Sequence, residues 1–240
     1  MEARQKYLEE PFEKLGICLS DEQSSAFLRY ADMLLIWNEK MNLTAITDPQ
    51  EIMIKHFADS CAVIGKELEN SPKKLADVGS GAGFPGIPLK IVCPDLEIVL
   101  MDSLQKRVGF LNAVIQELSL KKIRAVHGRA EDLAKDKEFR EQFDLVTARA
   151  VAPLPVLAEY CLPFVKIGGE FLAYKATGAK EEADQAAGAI RILGGGKATI
   201  REYSLPGTDY QRSLIRINKD RQTPKAYPRK AGTAGKKPLG

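Results

Sequence analysis

Apolar positions change their spacing along this chain, and each change predicts a different architecture. Early in the chain, Ala26, Phe27, Tyr30, Ala31, Leu34 and Leu35 recur at helical spacing. They follow Ser20 and Gln23, which are placed as a capping box. A second helix is expected after Asp48-Pro49, carrying Ile52, Ile54, His56, Phe57 and Val63, because proline suits a first helical position. From about Lys73 the rhythm shortens. Strands are expected over 74–78, 97–101, 123–127, 143–148 and 170–174, with helices over 87–92, 104–118, 152–161 and 179–193 between or after them. Strand and helix alternating in this way predict a parallel sheet covered on both faces. The runs 197–205 and 212–218 break the alternation: Pro206, Gly207 and Asp209 separate them and no helix fits, so an antiparallel hairpin is expected. The fold class is therefore α/β, a doubly wound, mostly parallel Rossmann-like sheet ending in an antiparallel hairpin. A helical extension over 1–70 precedes the sheet domain, 71–219, and 220–240 forms an irregular basic tail.

Composition narrows the function classes. With 240 residues, 45% hydrophobic and 28% charged, the chain can bury a core without disulfides. Cys18, Cys61, Cys93 and Cys161 are scattered, without a Cys-x-x-Cys pair, so neither a disulfide framework nor a metal site is expected. Scattered cysteines suit a reducing cytoplasm. Residues 1–16 are too charged for a signal peptide, and no apolar run reaches the roughly 20 residues of a membrane span. Charge is uneven: from Lys219 onward there are seven basic residues and one acid, a net +6 against +3 for the whole chain. Such a tail is solvated, turned toward a polyanion, or packed on the sheet domain with Tyr227 and Pro228 as anchors.

The chemistry concentrates at Asp77-Val-Gly-Ser-Gly-Ala-Gly-Phe-Pro-Gly86. Glycines after a strand and before a helix let the backbone turn sharply and approach a nucleotide closely. Asp102, at the end of the next strand, can accept both ribose hydroxyls of NAD or of S-adenosylmethionine. Three features favour the methyl donor. Asp77 can meet its cationic amino-acid end and would repel a pyrophosphate. Gly128-Arg-Ala-Glu-Asp132 can read an adenine edge through Glu131 or the local backbone. The terminal hairpin is shared with many methyltransferases. An NAD-dependent oxidoreductase, a small-molecule methyltransferase and a non-catalytic RNA-binding or ribosome-assembly module remain alternatives.

At these residues the chain resembles the bacterial family of ribosomal RNA small subunit methyltransferase G, also called glucose-inhibited division protein B. The matching blocks are Asn38-Glu-Lys-Met-Asn-Leu-Thr44, His56-Phe-Ala-Asp-Ser60, Asp77 to Leu89, Asp102-Ser-Leu-Gln-Lys-Arg107, Gly128-Arg-Ala-Glu131, Arg149-Ala150 and 224–239. The resemblance implies methylation of N7 of one guanine in 16S rRNA, near the decoding centre, with S-adenosyl-L-methionine as donor. It also implies a cofactor site containing Gly79, Phe84, Ala130, Glu131 and Arg149; the loop reading adds Asp77, Gly81, Gly83 and Asp102. The expected partner is 16S rRNA or the small ribosomal subunit, with the protein acting as a monomer and without a membrane.

The residues agree with that chemistry. Guanine N7 has a free lone pair and needs no general base. Methyltransferases acting on exocyclic amines often carry an Asn- or Asp-Pro-Pro-aromatic motif after the fourth strand; this chain has Ala148-Arg149-Ala150-Val151. Arginine only donates, which suits a purine O6, a phosphate or a carboxylate. Arg149, Lys175 and Arg212 are the candidate catalytic or RNA-facing bases. His56 and Asn42 are expected to cover the cofactor, touch RNA or pack. His127 is expected to close a strand, and Trp37 and Tyr30 to lie in the core.

Overall fold

The computed structural model describes residues 2–64 and 73–240, so the expected boundary at residue 70 lies outside them. Helix α1 (Glu2–Lys14) precedes α2 (Asp21–Met41). The capping box forms as expected: Gln23 N donates to Ser20 Oγ at 3.3 Å, and Ser20 N donates to Gln23 Oε1 at 2.9 Å. Both are N–H groups that no helical turn satisfies. Ala26, Phe27, Tyr30, Ala31 and Leu34 are buried, and Leu35 is half-buried. Asp48 caps α3 (Pro49–Glu51), which continues through a π-helical stretch, Ile52–Ala58, into α4 (Asp59–Cys61). The expected helix is present but widened in its middle, a feature that frequently accompanies functional sites.

One sheet of seven strands follows. It comprises β1 (Lys74–Val78), β2 (Glu97–Asp102), β3 (Ile123–His127), β4 (Phe143–Arg149), β5 (Val165–Lys175), β6 (Thr199–Ser204) and β7 (Gln211–Asn218), in the order β3-β2-β1-β4-β5-β7-β6. The first five are parallel, while β7 runs antiparallel to β5 and β6. The crossovers are α5 (Gly86–Val92), α6 (Gln105–Glu117), α7 (Ala130–Leu133) and α8 (Leu154–Cys161), with α9 (Ala179–Ile192) leading to the hairpin. Side chains alternate across the sheet. Leu75, Ile98, Leu100, Leu145 and Leu172 pack with α2, α5 and α6 on one face; Ala76, Val99, Val146, Phe171 and Ile217 pack with α8 and α9 on the other. The strand expected over 170–174 begins at Val165, because Lys219 exchanges backbone hydrogen bonds with Gly168 and Gly169. Ladder pairing outweighs the weak strand preference of glycine there. No helix among the described residues is long and apolar enough to cross a membrane.

The segment 220–240 departs from the solvated tail expected of its composition. It is irregular apart from a short helix, α10 (Thr233–Lys236), but it is packed. Thr223, Pro228 and Ala234 are buried, and Tyr227 and Leu239 join the core beneath α8 and α9. Arg140 donates to Thr223 O at 2.8 Å and to Tyr227 O at 2.9 Å. Arg229 binds the fully buried Glu159 carboxylate at 2.5–3.1 Å. Composition alone undercounts such a segment, because its order comes from polar clamps to the sheet domain together with a few apolar anchors.

Candidate active site

In a doubly wound sheet the cleft forms at the carboxyl ends of the strands where the order reverses. Here that point lies between β1 and β4, so the glycine loop after β1 meets Arg149 at the end of β4. Gly79 N and Ser80 N both donate to Met101 O, at 2.8 and 3.0 Å, which turns the loop toward β2. Gly79 has φ 74, and a Cβ there would lie 2.6 Å from Val151 Cγ2; only glycine lets the loop after β4 close on it. Gly81 differs. At φ 60, its absent Cβ points into open space, with nothing nearer than Gly79 O at 3.9 Å. This is the side from which a ligand can reach the loop backbone. Tyr30, buried as expected, donates from its hydroxyl to Ala82 O, and Gly83 packs against it, so α2 fixes the loop from behind.

Asp102, the expected ribose acceptor, lies at the end of β2 and is almost fully buried. Its Oδ2 accepts from Gly81 N and its Oδ1 from Leu104 N, both at 2.9 Å. These bonds orient the carboxylate, and each oxygen keeps a second lone pair. Asp77 is placed otherwise than expected. Its carboxylate is fully buried, Oδ2 accepting from Gly86 N at 3.1 Å and Oδ1 from the Thr147 hydroxyl at 3.2 Å. It ties the loop to the start of α5 and to β4, away from the cleft surface. Ala130 and Glu131 follow β3, and Gly128 N donates to Asp102 O at 3.0 Å, which joins their loop to the end of β2. His127 closes β3 as expected, with Nε2 3.2 Å from Ser103 O.

Arg149 is the centre of a cluster the sequence only partly anticipates. Its Nη1 donates to Lys55 O and Asp59 Oδ2, both at 3.3 Å, and its Nη2 lies 3.3 Å from His56 Nδ1. The guanidinium carbon is 4.7 Å from the Phe84 ring centroid, and the His56 ring stacks on Phe84 at 4.5 Å and 18°. The buried Asp59 accepts from Tyr203 Oη at 2.8 Å and pairs with Arg212 Nε at 3.8 Å. One carboxylate thus holds two of the three expected bases. Lys175, the third, is bound elsewhere, its Nζ 2.6 Å from Glu182 Oε2 and 2.9 Å from Ala152 O. It braces the loop after β4 rather than facing the cleft as a free cation. Asn42, with φ 49, ends α2 in the left-handed conformation. Asp59 stood within a matched block without an assigned role. Tyr203 and Lys55 carried no sequence signal, because their contacts bridge 144 and 94 positions.

These contacts fix the state of His56. A guanidinium only donates, so Nδ1 is unprotonated and Nε2 donates to Thr44 Oγ1 at 2.8 Å. Burial and the neighbouring Arg149 push its pKa down to about 3. An unfolded histidine takes its proton near 6.5, so this group lowers stability as pH falls from about 6.5 toward about 3. Asp77 acts with the opposite sign: burial raises it to about 6, so its contribution is present at low pH and lost as pH rises through about 6. In an NMR titration the His56 ring is expected to keep its neutral shifts from pH 8 to pH 5. A midpoint above 6 would mean that the ring is not buried beside Arg149 in solution.

The cleft suits S-adenosylmethionine: an open glycine backbone, a pre-oriented carboxylate beside it and a neighbouring loop that can meet the base. Comparison with known proteins points the same way. The chain is 52% identical over 227 residues to ribosomal RNA small subunit methyltransferase G of Desulfitobacterium hafniense, covering 95% of this chain and 94% of the relative. It is 50% identical over 232 residues to the protein of the same name in Alkaliphilus metalliredigens, covering 97% of each. In fold it resembles an O-methyltransferase from Bacillus cereus solved in complex with S-adenosylhomocysteine. There the TM-score is 0.55 at 16% identity, over 80% of this chain and 91% of that one. The family model of the rRNA small subunit methyltransferase G, GidB, matches residues 23–215, and with these relatives it shows that the chain belongs to that family.

Proposed function

We propose that this protein methylates N7 of a guanine in 16S rRNA, using S-adenosylmethionine, and acts in the cytoplasm as a monomer on the RNA or the small ribosomal subunit. The observation that carries the reading is the state of the groups at the carboxyl edge. Asp77, Asp102, Asp59 and His56 each already accept hydrogen bonds from the protein, and the residue ending β4 is a donor. A nucleophile that must lose a proton needs a base directed at it, whereas Arg149, the side chain ending β4, can only donate. Guanine N7 needs no such base.

When bound, S-adenosylmethionine supplies an electrophilic methyl group on sulfur. Guanine N7 would accept that methyl through its free lone pair, so this chain would not have to remove a proton. What remains for this chain is placement, which can provide up to roughly 7–11 kcal/mol of the barrier reduction. Gly79, Gly81 and Gly83 would shape the cradle, Asp102 would take the ribose, and the loop at Ala130 and Glu131 would meet the adenine through its backbone. Phe84 and Arg149 wall the cleft beside the acceptor. Arg212 and the exposed Tyr210, over which Lys55 Nζ lies 4.4 Å from the ring centroid, form the rim that RNA would meet first.

The test is to incubate the protein with small subunits or 16S rRNA and methyl-labelled donor, then cleave with borohydride and aniline, which cut at N7-methylguanosine. A single labelled cut is expected. Label appearing only in N6-methyladenosine or in a 2′-O-methyl group would overturn the atom assignment, and no transfer at all would favour a non-catalytic RNA-binding role.

A further inference from the structure

We propose that the C-terminal segment is a strap that positions the adenine side of the cofactor cleft, with Arg229 and Gly232 as its positioning residues. The inference rests on reading the loop that leads into α7 as the adenine side. Helix α7 has four residues, too few to hold its own shape. Its position must come from neighbours. On one side Gly128 N binds Asp102 O at 3.0 Å, the backbone of the ribose acceptor. On the other, Glu131 turns its nearly buried carboxylate away from the sheet edge, and Oε1 accepts from Gly232 N at 2.7 Å. The side chain expected to read adenine is thus spent on the strap, and it holds its own loop in place.

The strap is itself pinned in series. Lys219 Nζ donates to Leu162 O and to Thr223 Oγ1, at 2.6 and 2.7 Å. Arg140 holds the carbonyls of Thr223 and Tyr227. Three residues before Gly232, Arg229 engages both oxygens of Glu159 and also donates from Nη2 to Lys237 O at 2.9 Å, which folds the segment back over α8. Of the cations from Lys219 onward, Lys219 and Arg229 are therefore turned inward, whereas Arg221, Lys225, Lys230, Lys236 and Lys237 stay exposed. Loosening Arg229 or removing the Gly232 N–H frees Glu131, and with it the loop beside Asp102.

The experiment uses full-length Arg229→Ala, Arg229→Lys and Gly232→Pro proteins, the last lacking the N–H that binds Glu131 and also unable to keep the φ of 80 found there. Calorimetry with S-adenosylhomocysteine and with 5′-methylthioadenosine, which keeps only the nucleoside end, reads the adenine side directly. Arg229→Ala and Gly232→Pro are expected to weaken both ligands about tenfold, with Arg229→Lys between them and wild type. The KM for RNA should stay unchanged while the KM for the methyl donor rises. Melting curves identify the temperature at which each variant is folded, and Arg229→Lys, which keeps a cation at the site, serves where Gly232→Pro does not fold. Folded variants that bind both ligands like wild type would overturn the strap's role and leave the cofactor reading intact. A wild-type protein that binds neither ligand would overturn both.

Discussion

Gly81→Arg should leave a folded protein that no longer binds S-adenosylhomocysteine. A Cβ there meets only Gly79 O, at 3.9 Å, so the new side chain starts without a clash and extends from the open side of the loop. The backbone at φ 60 adds strain of about 1–2 kcal/mol for a residue with a Cβ, which the core can absorb. Ligand exclusion, in contrast, is nearly complete: calorimetry should register at least a hundredfold loss of affinity, and methyl transfer should vanish. A folded Gly81→Arg protein with normal affinity would remove the glycine loop from the cofactor site.

Asp59→Ala is expected to be as damaging, by a different route. The carboxylate joins Arg149, Arg212 and the Tyr203 hydroxyl in a nearly buried cluster. Its loss leaves the Arg149 guanidinium, itself largely buried, short of its counter-charge. Removing one partner of a buried pair costs about 3–5 kcal/mol. Chemical denaturation should show that loss, and methyl transfer should fall even at temperatures where the variant stays folded, because Arg149 no longer holds its place beside Phe84. Asp59→Asn keeps the Tyr203 acceptor and should lose less stability. Equal stability of Asp59→Ala and wild type would show that the ion pairs do not form in solution.

The strands, their order of appearance and the glycine loop were legible because each rests on local chemistry. Short apolar runs, the Ser20–Gln23 cap, Pro49 after Asp48 and glycine at positive φ depend on residues a few positions apart. The family blocks were legible for the same reason, and they brought Arg149 and Glu131 into view. Long-range polar contacts were not. The turning of Asp77 toward Gly86 and Thr147, and the capture of Lys175 by Glu182, are choices among several partners available to one charged side chain. The short helices α7 and α10 hold four residues each, too few for a periodic signal.

The C-terminal segment marks the division most clearly. By itself the sequence determined that this stretch is basic, irregular and poor in apolar residues, just as it determined a doubly wound sheet with a nucleotide loop at its switch point. Only the tertiary structure decided where the charges go: Arg229 to a carboxylate 70 positions away on α8, and the Gly232 N–H to Glu131, 101 positions away. The physical reason is that backbone conformation and apolar periodicity are set by near neighbours along the chain, whereas a buried charge takes whichever opposite charge or hydrogen-bonding group the finished fold brings beside it.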